Sequence, residues 1–204
     1  MQNRYAIEQL IEAGVWISQK GWVPATGGNF SARTDSGFVV TASGYDKGQL
    51  APEHFLQFDC HGQIESGTGK PSAETELHLS IYQLVADATC VLHTHSVAAT
   101  VLSRFIKSDT LTITGYEMQK SLTGILSHEE TLQIAIFDND QDIEQLAEKV
   151  ALRYQRNPLY HGVLIRGHGL YAWGRTPSET RRHLEGLEFL FACELERIKL
   201  EATL

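Results

Sequence analysis

Two closely spaced histidines are the residues of this sequence best suited to chemistry. His93 and His95 lie in, and directly after, a short β-rich run over residues 89–94. Because side chains alternate between the faces of a strand, both imidazoles would project from the same face. Neutral imidazoles at this spacing suit a divalent metal such as zinc. An ordinary polar strand is the alternative that an H-x-H pair alone leaves open.

A third histidine and one glutamate are candidates for the same site. His168 lies between two glycines, which let the backbone approach a ligand closely, although a turn histidine would look the same. Glu74 begins a predicted helix, where it could cap the helix dipole, bind a metal or act as a base. Three histidines with one open position is the pattern of a catalytic zinc site. We interpret the remaining histidines as surface or polar-core residues: His54, His61, His78, His128, His161 and His183.

Three segments of small residues could hold an anion. They are TGGN at 26–29, TASG at 41–44 and KPSA at 70–73, the last of which precedes a helix. Glycines bring backbone N–H groups close to an anion, and a helix start adds the positive end of its dipole. Each segment taken separately is more typical of a plain turn, but three in one chain, one of them next to Glu74, keep an anion-binding site open as an interpretation.

The elements that would position these residues alternate irregularly between helix and strand. Helical periodicity predicts helices over residues 3–20, 73–85, 97–105, 142–156 and 177–200. Short β-rich runs predict strands over 29–33, 38–42, 55–59, 63–65, 89–94, 111–114, 133–137, 162–165 and 170–173. Because the early strands form hairpins rather than βαβ units, we expect an α/β fold with a mixed, largely antiparallel sheet and helices packed on it.

Composition limits the classes of protein that this chain could represent. Its 204 residues suggest a single domain over residues 1–204. Lysine and arginine number 17 against 25 acidic residues, for a net charge of −8, which argues against a nucleic-acid-binding surface. The sequence contains no run of 18 apolar residues, so it predicts no membrane span. Three cysteines without a C-x-x-C pair argue against a disulfide framework and suggest a cytoplasmic protein.

Five segments, in this order and at this spacing, resemble the class II aldolase family of zinc-dependent sugar-phosphate enzymes. They are TGGNFS at 26–31, TASG at 41–44, KPSAE at 70–74, HTHS at 93–96 and RGHGLYAWG at 166–174. The resemblance covers nearly the whole chain. It implies a three-layer α/β/α sandwich that assembles as a homotetramer, with its sites near the subunit interfaces.

The resemblance also implies roles for individual residues. One zinc ion per subunit would be held by His93, His95 and His168. Glu74 occupies the position of a metal-binding or acid/base glutamate. The substrate phosphate would be held by Asn29, Ser43, Gly44 and Ser72. Ala73 stands where some aldolases have a second serine, so one phosphate contact of those enzymes would be missing here.

The segments GYEM at 115–118 and FLFACELE at 189–196 resemble a branch of the family that dehydrates a 2-ketose 1-phosphate. In that branch Glu117 would be the acid/base residue that gives a proton to the departing carbon-4 hydroxyl. This role requires burial or a nearby negative charge to raise its pKa. The alternatives are an aldolase or a ribulose-phosphate 4-epimerase on the same zinc site, and a zinc-bearing interaction module without catalytic activity.

Overall fold

The computed structural model describes residues 2–203, in which five α-helices accompany nine β-strands. The helices are α1 (Asn3–Gln19), α2 (Thr75–Leu84), α3 (Val97–Phe105), α4 (Ile143–Arg156) and α5 (Pro177–Glu201). The strands are β1 (Asn29–Arg33), β2 (Gly37–Thr41), β3 (Phe55–Asp59), β4 (Ile64–Ser66), β5 (Cys90–Thr94), β6 (Thr110–Ile113), β7 (Leu132–Phe137), β8 (Gly162–Ile165) and β9 (Gly169–Gly174). Each predicted element is present, with its bounds shifted by at most two residues.

The nine strands form one sheet in the order β4-β3-β2-β1-β5-β9-β8-β7-β6. Strands β7 and β8 run parallel, and the other neighbours described in residues 2–203 run antiparallel. The predicted mixed, largely antiparallel sheet is therefore confirmed. The central strands are buried along their whole length, and neighbouring residues of a strand point to opposite sides. Both faces of the sheet are therefore covered.

The two faces of the sheet bury separate hydrophobic cores. Leu92 of β5 packs into a core that includes Leu10 of α1, Leu102 of α3 and Leu187 of α5. Val91, its neighbour in sequence, packs into a second core with residues of α2 and α4. Since each fully buried aliphatic side chain contributes about 1.5–3 kcal/mol, these cores hold the helices on both faces. The α/β/α sandwich is therefore confirmed.

Side-chain caps explain where three of the helices begin. Ser96 accepts a hydrogen bond from the Ala99 amide, so α3 starts directly after the HTHS segment. Asp142 caps α4 in the same way, and Thr176 caps α5 just before Pro177. Even α5, with 25 residues, is too polar to cross a bilayer, and no other helix of residues 2–203 meets the requirements for a span.

Strand β5 lies at the centre of the arrangement that builds the site. It pairs with β1 on one side, where His93 is opposite Asn29, and with β9 on the other, where His93 is opposite Tyr171. Gly169 lies so close to the Thr94 carbonyl that any Cβ would collide with it. This close approach brings the turn that carries His168 onto the end of β5.

Candidate metal centre and active site

The three predicted histidine ligands meet at one point. The Nε2 atoms of His93 and His95 are 2.8 Å apart. The Nε2 atom of His168 lies 3.0 Å from that of His95 and 3.3 Å from that of His93. Ligands of a tetrahedral zinc ion, with bonds of ~2.0–2.1 Å, lie about 3.3 Å from one another. The spacing of the nitrogens therefore fits a shared metal ion.

Hydrogen bonding and burial prepare these rings to bind a cation. His93 Nδ1 donates a hydrogen bond to the Leu170 carbonyl at 3.0 Å, which leaves Nε2 with a lone pair that faces the other rings. Its ring stacks on Tyr171 with centroids 3.9 Å apart. Burial lowers the pKa of His93 well below its ordinary range, and burial also lowers the pKa of His95. Neutral nitrogens that converge in this way suit a divalent metal ion.

Glu74 completes a set of four donors. One carboxylate oxygen, Oε1, lies 3.0 Å from His168 Nε2 and 3.6 Å from His93 Nε2. Burial opposes its ionisation, but the hydrogen bond with His168 and electrostatic interaction with His93 hold the pKa of Glu74 well below its usual range. The ligand atoms of Glu74 and the three histidines all lie within 4.8 Å of one another. The position of this carboxylate suits a metal ligand or a base beside the metal.

A buried chain of hydrogen bonds orients Glu74. Its second oxygen accepts from the Asn29 amide, whose carbonyl oxygen accepts from His78 Nε2. His78 Nδ1 in turn accepts from the Ser31 hydroxyl at 2.6 Å. Sequence reasoning treated His78 only as a surface or polar-core residue. His78 lies four residues after Glu74, which is one helical turn further along the chain. This spacing could have indicated that the two side chains serve the same site.

A pocket of about 580 Å³ opens beside the four donors. Ser43 and Ser72, two of the residues predicted to hold phosphate, line it together with Glu74, His95 and His168. Gly44 adopts a φ of +89° beside Ser43, with open space where a Cβ would lie. Asn29 is buried, and its amide serves Glu74 and Ser72. The structure thus brings the predicted phosphate residues to the metal-binding cluster.

The far wall of the pocket comes from a segment that sequence reasoning missed. It consists of Asn139, Asp140 and Gln141 in the β7–α4 connection, together with Ile143, the first residue of α4. No motif marks this segment. The packing of α4 against α2 brings it to the same pocket as Ser72.

Glu117 lies outside this pocket in the single chain. It begins the short helical turn Glu117–Ser121, and its side chain is 73 % exposed. Lys120 donates a hydrogen bond to it at 2.6 Å, and His128 Nδ1 lies 3.6 Å away. The hydrogen bond from Lys120 lowers the pKa of Glu117, the opposite of what a general acid needs. A catalytic role therefore requires a different environment from the one that this chain provides alone.

A buried carboxyl group supports the HTHS segment from behind. Glu188 of α5 accepts hydrogen bonds from the hydroxyls of Thr94 and Ser96, the residues on either side of His95. Burial raises the pKa of Glu188 to about 7, although these two hydrogen bonds oppose the shift. Sequence reasoning assigned no role to this residue.

The change Glu188→Gln should alter the pH dependence of stability. A carboxyl whose folded pKa of about 7 exceeds its ordinary 4.5 stabilises the fold below pH 4.5, and this contribution is lost as pH rises through 7. The loss amounts to at most about 3 kcal/mol at 1.36 kcal/mol per unit. Urea unfolding of the metal-free proteins measures this effect. From pH 5 to pH 8, the free energy of unfolding should decrease less for the variant than for the wild type. Equal decreases for both proteins would contradict this prediction.

Fold and site together define the class of protein. Residues 8–195 match the model of the family described as class II aldolase and adducin N-terminal domain, and the chain belongs to this class II aldolase family. Among solved structures it is similar to L-fuculose-1-phosphate aldolase from Thermus thermophilus, with a TM-score of 0.78, 25 % identity, and coverage of 98 % of this chain and 99 % of the other. A sugar-phosphate aldolase from Thermotoga maritima shares the fold with a TM-score of 0.72 at 18 % identity, over 97 % and 96 % of the two chains.

Curated relatives point to one particular enzyme of the family. The chain is 67 % identical to methylthioribulose-1-phosphate dehydratase from Pseudoalteromonas translucida, over 97 % of this chain and 94 % of the relative. It is 55 % identical to the enzyme of the same name from Klebsiella pneumoniae, over 98 % of each chain.

Proposed function

We propose that this protein is a zinc-dependent hydro-lyase of methionine salvage. It converts 5-methylthioribulose 1-phosphate to 2,3-diketo-5-methylthiopentyl 1-phosphate and water. The observation that carries the proposal is the convergence of three histidines and Glu74 beside a pocket lined by Ser43 and Ser72, in a chain 67 % identical to a dehydratase of this name. The enzyme acts in the cytoplasm, where its three free cysteines stay reduced.

The residues of the site have two roles: one group binds the metal ion, and the other binds and orients the substrate. His93, His95 and His168 hold the zinc ion, which when bound polarises the carbon-2 carbonyl and acidifies the carbon-3 proton. The phosphate lies against Ser43, Gly44 and Ser72, with Asn29 behind them, and this fixes the distal end of the substrate. Glu74, oriented by Asn29, faces the reacting carbons as a metal ligand or as a base.

Glu117 acts on the site of a neighbouring subunit in a homotetramer. Its carboxylate is largely exposed in the single chain, and the exposed side chains of Met118 and Leu126 lie close to it in sequence. Contact with another copy would bury all three and would bring Glu117 near the negative charge of the phosphorylated substrate. Both changes raise a carboxyl pKa, as the general acid at carbon 4 requires.

An aldolase or 4-epimerase is the competing function, and the 25 % identity to L-fuculose-1-phosphate aldolase favours it. These reactions differ at carbon 4. A dehydratase gives a proton to the carbon-4 hydroxyl, which leaves as water. An aldolase removes a proton from that hydroxyl and breaks the bond between carbons 3 and 4.

Incubation of the zinc-loaded protein with methylthioribulose 1-phosphate tests the proposal. We expect one product, a diketone phosphate with all five chain carbons, which NMR and mass spectrometry identify by the loss of one water. A two-carbon aldehyde with a three-carbon ketose phosphate would identify an aldolase. An isomer of unchanged mass would identify an epimerase. Either outcome would overturn the dehydratase assignment.

A further inference from the structure

Lys47 is buried in a part of the fold where a cation needs an explanation. It begins the turn Lys47–Gln49, and its side chain is only 1 % exposed. Lysine is almost never fully buried unless its charge is compensated. Helix α1 covers this turn so tightly that any Cβ at Gly14 would collide with the Lys47 carbonyl. The packing of α1 therefore fixes an ammonium group inside the protein.

The ammonium group joins the two loops that come before and after the β1–β2 hairpin. Lys47 Nζ donates to the Thr26 carbonyl at 2.9 Å and to the Tyr45 carbonyl at 2.8 Å. Thr26 opens the TGGN segment, and Tyr45 follows the TASG segment directly. Both acceptors are neutral backbone groups, and no carboxylate of residues 2–203 forms a hydrogen bond or ion pair with Lys47. The charge is thus not neutralised by direct contact with a carboxylate of the described residues.

The loop that Lys47 holds is strained and touches the metal site. Ala25 and Thr26 adopt φ values of +52° and +63°, which residues with a Cβ avoid unless their surroundings hold them there. The next residue, Gly27, lies against His95, where a Cβ would be 2.7 Å from the ring Nδ1. The ammonium also interacts electrostatically with Asp46, its neighbour in sequence, and with Glu74 at the metal site.

We propose that Lys47 is a positioning residue of the phosphate subsite: it ties the TGGN and TASG loops together and supplies, from beneath them, the positive charge that attracts the phosphate of the substrate. The inference rests on the phosphate subsite of the proposed function. A further positive charge favours an anion here because the chain carries a net charge of −8, and Glu74 and Asp140 both line the pocket. An interior charge is weakly screened, so it acts on an anion that it does not touch.

Binding of inorganic phosphate to the zinc-loaded protein tests this role directly. By calorimetry, Lys47→Met should weaken phosphate binding by about tenfold, while metal content stays equal to that of the wild type. The KM for the ketose phosphate should rise by a similar factor with kcat within about twofold, because binding that is equal in ground and transition states affects KM alone. Lys199→Met, which removes the same charge from an exposed position on α5, should leave the phosphate affinity and the KM unchanged.

A second substitution separates charge from hydrogen bonding. Lys47→Gln keeps a donor but removes the charge, so it should bind phosphate as weakly as Lys47→Met does. Wild-type phosphate affinity in either folded variant would overturn the proposal. If Lys47→Met does not fold, Lys47→Gln alone carries the test. The two proposals can fail separately. If the variants bind phosphate weakly but the wild type leaves the ketose phosphate unchanged, the proposed reaction is refuted and the role of Lys47 is retained.

Discussion

Replacement of His95 by alanine is expected to remove the metal ion and, with it, the activity. His95 contributes one of three nitrogens that lie 2.8–3.3 Å apart, and its loss leaves the cation with one ligand fewer than the set of three histidines and Glu74. Even the loss of a group that only orients a ligand costs 10–100-fold in affinity, so we expect a decrease of at least about hundredfold. Activity should fall below about 1 % of wild type, since the metal supplies several kcal/mol of transition-state stabilisation.

Elemental analysis after gel filtration measures this effect without an assay. The wild type should retain about one zinc per chain, and its melting temperature should rise on metal addition because only the folded state has the site. The His95→Ala variant should show neither behaviour. His61→Ala, in an exposed turn, is the matched control and should match the wild type in both measurements. A His95→Ala protein that holds stoichiometric zinc and turns over substrate would refute the metal assignment.

Replacement of Glu117 by glutamine should leave the metal in place and lower kcat by about 10²–10⁴-fold, the range of general acid–base catalysis. Glu117 is exposed and does not belong to the cluster of metal-binding side chains, so we expect no loss of zinc. Glu129 is another exposed glutamate in the β6–β7 connection that contains Glu117, so Glu129→Gln is the control and should keep normal activity. Full activity in the Glu117→Gln variant would place the acid elsewhere.

Mixed oligomers test whether Glu117 acts between subunits. Each site would take its metal ligands from one subunit and Glu117 from its neighbour. In a 1:1 mixture of His95→Ala and Glu117→Gln chains, about a quarter of the sites would then be intact. Activity should therefore recover to about a quarter of wild type after co-expression or reassembly. If Glu117 serves its own subunit, every site carries one defect and the mixture stays inactive.

Local patterns were sufficient to predict most of the fold. The hydrophobic periodicity of α1 and the cap at Ser96 predicted helix positions, because these features act within a few residues of one another. The strand predicted over 38–42 occurs at Gly37–Thr41, a shift of one residue. Strand ends depend on partner strands, which a single stretch of sequence does not reveal.

The site was predictable where its residues belong to short motifs. His93 and His95 share one strand end, and the glycines beside His168 mark a close backbone approach. Lys47 and the β7–α4 wall of the pocket could not be predicted, because lysine is ordinarily exposed and the wall depends on how α4 packs on α2. The proposed environment of Glu117 involves a neighbouring subunit, so its role stays a prediction.

The donors of the centre come from both halves of the polypeptide. Glu74, His93 and His95 lie in the first half, whereas His168 is only brought to the end of β5 by the pairing of β9. A nascent chain on the ribosome therefore cannot complete this set of donors before β9 has emerged and paired. Binding of the metal by all four donors thus reports a chain that has reached its native topology.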